Sequence, residues 1–199
     1  MSSENPETRT RILDAALALL GSGRGSAARM ADIARQAGIS RQAVYLHFST
    51  RAELLIAATL YLDEVKGIDD RLAASRAAET GAERLDALID AWGNYIPEIY
   101  GIARALLAMK DTDEAAAAAW DGRMQAVREG CAACIDMLAI DGVLSPDLPP
   151  QRATDLLWTM LSVRNWEQLT VDCRWPQRTY IETTKRLARD TFVVTGTAA

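Results

Sequence analysis

The stretch from Arg29 to Leu55, RMADIARQAGISRQAVYLHFSTRAELL, constrains the fold of this chain more than any other. Its first apolar residues recur at i, i+3, i+4 and i+7, the spacing of one buried helix face: Met30, Ile33, Ala34 and Ala37. Gly38 follows where a left-handed residue ends a helix, because glycine has no Cβ to clash there. Ser40 is suited to cap a second helix of about two turns, which ends near Phe48. The pattern predicts a helix-turn-helix.

The second helix of this pair has a polar outer face. At about 100° per residue, Arg41, Gln42 and Tyr45 share a sector roughly 100° wide, and Val44 points away from it. Arginine and glutamine make bidentate contacts to guanine and adenine edges in the DNA major groove, and Tyr45 and His47 are able to reach phosphate oxygens. Two interpretations remain at this point: a DNA-reading surface, or the solvated face of a small helical hairpin.

Over residues 8–58 the chain resembles the N-terminal domain of the TetR/AcrR family of bacterial repressors. The residues that carry the resemblance match in spacing as well as identity: Ile33-Ala34, Ala37-Gly38-Ile39-Ser40, Tyr45, His47-Phe48, Arg51 and Leu54-Leu55, with Arg11-Ile12-Leu13, Ala15-Ala16 and Gly25 upstream. The resemblance favours the DNA-reading interpretation. Beyond residue 58 it is one of length and helical layout only.

Thr50 and Glu53 predict a capping box at the start of the next helix, with Arg51 in its first turn. A helix N-terminus and a nearby cation both favour a phosphate oxygen, so Arg51 is a candidate phosphate contact. The resembled family usually has lysine at this position. Arginine keeps the charge but changes the geometry of the contact.

The start of the first helix of the pair departs from the family pattern. The family commonly has a threonine there, which caps the helix and touches phosphate, whereas this chain has Ala28, Arg29 and Met30. We expect Arg29 to supply the contact by its charge, and the cap to come from Ser26 or from water. The candidate DNA contacts are therefore Arg29, Ser40, Arg41, Gln42, Tyr45, His47 and Arg51.

Charge is distributed unevenly along the chain. The formal net charge is −5, yet residues 1–51 hold seven arginines and no lysine against four acidic residues, so they carry +3 and the rest carries −8. A basic module on an acidic body is expected if only one end of the protein meets phosphate. Arg9 and Arg11 are interpreted either as minor-groove contacts or as solvated side chains.

Composition and helical periodicity predict an all-α protein of about nine helices. We divide it into a helix-turn-helix DNA-binding domain, residues 1–52, and a helical effector-binding and dimerisation domain, residues 53–199. No apolar run approaches the roughly 18–20 residues that span a bilayer, and no signal-peptide pattern is present. The expectation is a soluble, cytoplasmic protein without membrane contact.

Breaks in the helical periodicity define where the predicted helices begin and end. The first starts at Asn5-Pro6, and the tail at 195–199 is expected to be disordered. In the body the predicted helices cover 82–95, a short segment from Pro97, a long segment capped by Asp111 and ending near Gly142, 151 to about 171, and 176 to about 194.

The helix predicted from residue 151 is apolar nearly all round, so it must bury more than one side. It is either central in a monomer or part of a subunit interface. In the resembled family the last two helices form a four-helix interface with their symmetry mates, which implies a homodimer. A dimer suits a palindromic operator, because two recognition helices roughly 34–36 Å apart meet successive major grooves.

The family's C-terminal domains typically enclose a small-molecule pocket, so the resemblance implies one here. Aromatic and methionine side chains suit a largely apolar or aromatic effector, and polar groups orient it. The alternative is that these side chains are plain core. The candidate ligand-binding residues are Trp92, Tyr95, Met109, Trp120, Met124, Trp158, Asn165 and Trp166.

Cys131 and Cys134 form a C-x-x-C at helical spacing, which is either a redox pair or two small buried residues. With no second cysteine pair nearby and His47 as the only histidine, a zinc site lacks ligands, and no metal or cofactor is predicted. No phosphate loop, nucleophile elbow or paired catalytic carboxylates stand out, so no catalytic residue is assigned.

The leading hypothesis is a homodimeric transcriptional repressor that a small molecule releases from DNA. A regulator without an effector, or an activator, is the alternative within the same class. A small helical enzyme, or a thiol-based redox protein using Cys131 and Cys134, is the alternative from a different class.

Overall fold

The computed structural model describes residues 6–22 and 29–194. These residues form helices α1 (Pro6–Gly21), α2 (Met30–Ala37), α3 (Arg41–His47), α4 (Arg51–Val65), α5 (Ile68–Ala77), α6 (Gly81–Met109), α7 (Glu114–Ile140), α8 (Pro150–Met160), α9 (Val163–Glu167) and α10 (Gln177–Phe192). The five-residue α9 continues into a π-helical turn, Gln168–Asp172. The predicted all-α class is confirmed. Among the described residues, nine helices have seven residues or more, which agrees with the predicted number of about nine, and α9 is shorter.

The described residues fall into two compact units. The first contains the residues up to Gly67 together with Ile99–Met124, and the second contains Ile68–Glu98 and the residues from Gln125 onward. Helices α6 and α7 each contribute residues to both units. The domain boundary between residues 52 and 53 stays a prediction. Asn5, Ser26 and the 195–199 tail lie outside the described residues, as do the expectations that concern them.

In the first unit, α1 packs against α2 and α4, and α2 packs against α3. The side chains that join these helices are 0–1% exposed: Ile12, Leu13, Leu20, Ile33, Val44, Phe48, Leu54 and Leu55. Burying one such side chain stabilises a fold by about 1.5–3 kcal/mol. Gly38 has φ +67°, the left-handed conformation that the turn requires, and its N–H bonds back into α2. The predicted glycine turn is confirmed.

Pro97 lies inside α6, and the helix is continuous through it. The expectation of one helix ending near Tyr95 and another starting at Pro97 is therefore wrong. Proline has no N–H, so the carbonyl four residues earlier, that of Gly93, loses its usual helical donor. The side-chain amide of Gln177 on α10 donates to this carbonyl instead, with an Nε2–O distance of 2.6 Å. A tertiary contact thus satisfies the group that the proline orphans.

Asp113, not Asp111, caps α7. Its Oδ1 accepts hydrogen bonds from the backbone N–H groups of Ala115 (3.0 Å) and Ala116 (3.2 Å). Asp111 is exposed and lies two residues too early for this role. The predicted end of the helix near Gly142 is confirmed, because α7 stops at Ile140 and Gly142 has φ +71°.

The helix expected from residue 151 to about residue 171 is interrupted. After α8 ends, Ser162 Oγ accepts from the N–H of Asn165 (3.2 Å) and caps α9. Two side chains bind carbonyls at the break: Asn165 Nδ2 donates to Thr159 O (2.6 Å), and Trp92 Nε1 donates to Leu161 O (2.7 Å). Side-chain donors therefore replace the helical hydrogen bonds that a continuous helix would make.

No helix among the described residues is both long and apolar enough to cross a membrane.

Replacing Gln177 by alanine is expected to lower the free energy of unfolding by about 1–3 kcal/mol, because the buried Gly93 carbonyl loses its donor. The same replacement should cost less in a Pro97→Ala background, where the restored N–H bonds Gly93 as in an ordinary helix. Urea unfolding of the four proteins measures this coupling. An equal cost in both backgrounds would show that the Gln177 bond does not compensate for the proline.

Candidate nucleic-acid interface

Helix α3 is fixed at its start and along one side. Ser40 Oγ accepts from the N–H of Ala43 at 3.1 Å, which confirms the predicted cap. Val44 is fully buried against the rest of the first unit. Arg41 and Gln42 are consequently exposed on the other side of the helix. The cap and the buried valine together orient the polar face that the sequence predicted.

Arg41 and Tyr45 form a pair on the surface of α3. Arg41 Nη2 donates to the Tyr45 hydroxyl at 3.3 Å, and the guanidinium carbon lies 5.4 Å from the centre of the tyrosine ring. This hydrogen bond raises the pKa of Arg41 above its usual value. The pairing restricts the rotamers of the Arg41 guanidinium, and restricting a side chain in advance lowers the entropy cost of any later contact.

Leu46 is an exposed residue of α3 that the sequence analysis did not include among the candidate DNA contacts. Its side chain is 74% exposed, compared with 41% for Tyr45. On the helical wheel, Gln42 and Leu46 both lie about 160° from Val44, whereas Arg41 is only about 60° from it. The outermost line of α3 therefore runs through Gln42 and Leu46. Extending the wheel one residue beyond Tyr45 would have found it.

His47 and Arg29, two further candidate DNA contacts, differ in exposure. His47 is half-buried, and its Nδ1 is buried without a partner among the described residues, which leaves Nε2 as the nitrogen able to reach a phosphate. Arg29 is exposed and is the N-cap residue of α2, without a side-chain capping bond. Its phosphate contact stays a prediction.

Arg9 and Arg11 are exposed on α1, and each makes one contact with the helix-turn-helix. The guanidinium carbon of Arg9 lies 5.1 Å from the centre of the Phe48 ring. Arg11 Nη2 donates to the carbonyl of Ala37, the last residue of α2, at 2.6 Å. Cations are favoured at a helix C-terminus, where the carbonyls carry partial negative charge. Both arginines thus attach α1 to the helix-turn-helix.

The predicted capping box at the start of α4 forms with one shift. Thr50 Oγ1 accepts from the N–H of Glu53 at 3.1 Å. The carboxylate of Glu53 reaches back mainly to Ser49, accepting from its N–H and its hydroxyl at 2.8 Å each, with a smaller contribution from the backbone N–H of Thr50. The hydroxyl bond, followed by the backbone bond, lowers the pKa of Glu53. These contacts set the angle between α3 and α4.

Arg51 lies in the first turn of α4, and its guanidinium forms an ion pair with Asp113. Burial raises the pKa of Asp113, but the hydrogen bonds from the Ala116 N–H and from Arg51 outweigh it, so the pKa lies below its usual value. The same carboxylate therefore caps α7 and binds α4. Contact with phosphate stays a prediction for Arg51. It requires that the guanidinium bind the phosphate and Asp113 together, or that the ion pair with Asp113 break.

A second ion pair joins the other end of α4 to α7. Asp63, 7% exposed, pairs with Arg123 within the first unit. The polarity is reversed relative to the first pair, with the acid on α4 and the arginine on α7. Because both groups are largely removed from water, loss of one partner of such a pair costs far more than loss of a surface ion pair.

The candidate ligand residues are divided between the two units. Met109, Trp120 and Met124 belong to the first, and the other five belong to the second: Trp92, Tyr95, Trp158, Asn165 and Trp166. Within the second unit, the ring centres of Trp92 and Tyr95 are 6.0 Å apart, and Trp166 Nε1 donates to Gln177 at 2.9 Å. These rings are packed and hydrogen-bonded as core residues are.

A groove of about 250 Å³ in the second unit includes one of these candidates, Asn165. Its other lining residues are Met160, Gln168, Leu169, Tyr180, Thr184 and Leu187. The groove lies between the α8–α9 segment and α10, the helices for which a subunit interface was predicted. Pocket lining by the remaining candidates stays a prediction.

Cys131 and Cys134 are fully buried. Burial raises the pKa of Cys134 to about 11 and raises the pKa of Cys131 further above its usual range. Because the thiolate is the reactive form, these are inert thiols at neutral pH. Among residues 6–22 and 29–194, no cluster of three or more His, Cys, Asp or Glu side chains could hold a metal ion.

Comparison with known proteins identifies relatives of this domain. Residues 12–58 match the family model described as "Bacterial regulatory proteins, tetR family". The HTH-type transcriptional regulator BetI of Rhizobium meliloti (strain 1021) is 40% identical over 84 residues. That match covers 42% of this chain and 41% of BetI, so this chain matches less than half of the length of that curated relative.

Solved structures share the fold over nearly the whole chain. A regulator from Saccharomonospora viridis, crystallised in complex with choline, has a TM-score of 0.75 at 16% identity and covers 96% of this chain and 100% of its own. A TetR transcription regulator from Haloarcula marismortui ATCC 43049 has a TM-score of 0.68 at 23% identity, with 94% and 96% covered. At these identities the likeness is one of fold.

Replacing Arg41 by alanine should cost about 1–3 kcal/mol in DNA binding and relax the preference at one base pair, because a base contact is lost. Replacing Arg51 by alanine should weaken all duplexes alike and reduce the salt slope by about 1, because a phosphate contact is lost. Fluorescence anisotropy on matched and mismatched duplexes distinguishes the two. Arg76→Ala, an exposed arginine of the second unit, is the control. A base-specific effect at Arg51 would contradict its assignment.

Proposed function

We propose that this chain, whose residues 12–58 match the TetR family of helix-turn-helix regulators, is a DNA-binding transcriptional repressor of that family. The repressor acts as a homodimer on a palindromic operator, and a small molecule releases it. The proposal implies a cytoplasmic protein, because the DNA of a bacterium lies in its cytoplasm.

The observation that carries the proposal is the surface of α3. The helix is capped by Ser40 and anchored by the buried Val44, so Arg41 and Gln42 face outward from a rigid support. These side chains have the donor and acceptor groups that read guanine and adenine edges. Helix α3 is also the second helix of the pair, the one that a helix-turn-helix inserts into the major groove.

Apolar side chains exposed on α8 and α10 support dimerisation. Leu156 on α8 is exposed, and Leu187 on α10 is 47% exposed beside the groove that includes Met160 and Leu169. Helices α8 and α10 contact each other, and apolar side chains exposed on adjacent helices are a candidate interface. A two-fold dimer through these helices would present two copies of α3, which is the reason for expecting a palindrome.

The effector is proposed to bind the helical domain of residues 53–199, where the candidate ligand residues lie. A ligand switches a regulator only if it binds the two conformers with different free energies. Helices α6 and α7 have residues in both units, and Asp113, next to the first residue of α7, is bonded to Arg51 at the start of α4. A displacement of α7 would therefore reach the predicted phosphate contact.

Choline, which the Saccharomonospora viridis regulator contains, is not carried over to this chain. Aromatic rings bind quaternary ammonium groups through their faces. In this chain the guanidinium carbon of Arg71 already lies 5.6 Å from the centre of the Tyr95 ring. That ring is therefore partly occupied by a cation of the protein itself, and the proposed effector stays a small, largely apolar or aromatic molecule.

The alternatives from other classes receive no support. The matched family and the shared fold are those of transcription regulators and not of enzymes. A redox role for Cys131 and Cys134 requires accessible thiolates, and burial opposes both their access and their ionisation.

Selection of bound duplexes from a random pool by the full chain tests the proposal. We expect enrichment of one palindromic sequence, with an affinity that falls steeply between 50 and 200 mM salt, because phosphate contacts release counterions (on the order of 10³-fold for about six contacts). Enrichment of no sequence would overturn the DNA-binding proposal, and enrichment of a sequence without two-fold symmetry would overturn the dimer.

A matched pair of variants tests the interface itself. Leu187→Glu should yield a monomer in sedimentation analysis and should lose the palindrome, because the charge cannot be buried between subunits. Ile140→Glu is the control, since Ile140 is 84% exposed at the end of α7, outside α8 and α10. Equal effects of the two variants would contradict an interface made by the last helices.

A further inference from the structure

We infer that Leu46 is a specificity-determining residue that contacts the C5-methyl group of a thymine in the operator. The inference deepens the proposed function and rests on it. The exposed fraction and the position of Leu46 on α3 carry it.

The position of Leu46 is the first argument. The buried side of α3 is marked by Val44, which is fully buried, and Leu46 is 74% exposed on the opposite side. Helical geometry puts Leu46 about 40° from Gln42, one turn later on the same outward line. Any groove that receives Gln42 therefore also receives Leu46.

The chemistry of the major groove is the second argument. Base edges there present hydrogen-bond donors and acceptors, and the thymine C5-methyl is the one apolar group. An aliphatic side chain pressed against a polar edge would leave that edge without a partner, which is costly. When the leucine packs against a methyl group, both apolar surfaces are removed from water and no polar group is left without a partner. Leu46 thus favours thymine over cytosine, guanine and adenine at the position that it covers.

The polarity of the rest of α3 is the third argument. Every other exposed side chain of this helix, in the described structure, ends in a polar group: Arg41, Gln42 and Tyr45. A leucine on this face contributes nothing to the core, since the burial of α3 is supplied by Val44. Contact with DNA would remove the leucine side chain from water.

The spacing of Gln42 and Leu46 gives the inference a register. Four residues of helix correspond to a rise of about 6 Å, and base pairs are stacked about 3.4 Å apart. The thymine is therefore expected one or two base pairs from the base pair whose preference depends on Gln42.

Thymine-to-uracil replacement in the selected duplex is the direct test, because uracil lacks only the methyl group. Each thymine of the half-site is replaced singly, and the affinity of the full chain is measured by fluorescence anisotropy. One replacement should weaken binding by the wild-type protein roughly three- to five-fold, the usual effect of losing one buried methyl contact. The same replacement should have no effect on the L46A variant.

Two variants make the test specific. Gln42→Ala should keep the full methyl effect while relaxing the neighbouring adenine position. Leu46→Met retains an apolar side chain and should retain part of the methyl effect. Because Leu46 is exposed, L46A should unfold at the same urea concentration as the wild-type protein, which separates binding from folding.

The outcomes are distinguishable. A methyl effect that is equal in the wild-type and L46A proteins, the absence of any methyl effect, or a uniform loss of affinity on L46A for all duplexes would overturn the inference. A wild-type protein that selects no sequence overturns the proposed function, and the inference falls with it.

Discussion

The carboxylate of Asp113 is the group on which the arrangement of the first unit depends. One oxygen accepts the N–H groups of Ala115 and Ala116 and so begins α7, and the other binds Arg51 at the start of α4. The ion pair of Asp63 with Arg123 then fixes the far end of α4 against the same helix. With both ends of α4 held, the Thr50 cap and the contact of Glu53 with Ser49 orient α3. The surface of α3 for which DNA reading is proposed is thus held in place by contacts on the other side of the unit.

The proposed phosphate contact would give Arg51 two competing partners. A guanidinium is strongly attracted to both a carboxylate and a phosphate. In the structure Arg51 is paired with Asp113, so the proposed DNA contact and the anchoring of α4 to α7 would depend on the same side chain. A regulator needs an element whose two arrangements differ by little free energy. An arginine that can pair either with Asp113 or with a phosphate is suited to that requirement.

Local signals were sufficient to predict the helix-turn-helix. Gly38, Ser40 and Thr50 act through their own backbone conformation or through atoms three residues away, so their roles are legible in the sequence. The contacts that sequence reasoning missed join distant residues. Gln177 donates to the Gly93 carbonyl, which lacks its helical donor because of Pro97, and Asp113 is paired with Arg51. Helical periodicity does not reveal such partners. Leu46 was missed for another reason: only the polar side chains of this helix were considered as DNA contacts.

The central claim is that the outward line of α3 meets DNA. Hydroxyl-radical footprinting of the full chain, with and without its selected duplex, tests it most directly, because Tyr45, Leu46 and Ile140 are all exposed in the free protein. We expect the duplex to suppress oxidation of Tyr45 and Leu46 and to leave Ile140 unchanged. Unchanged oxidation of Tyr45 and Leu46 in the bound protein, with protection elsewhere, would contradict the account.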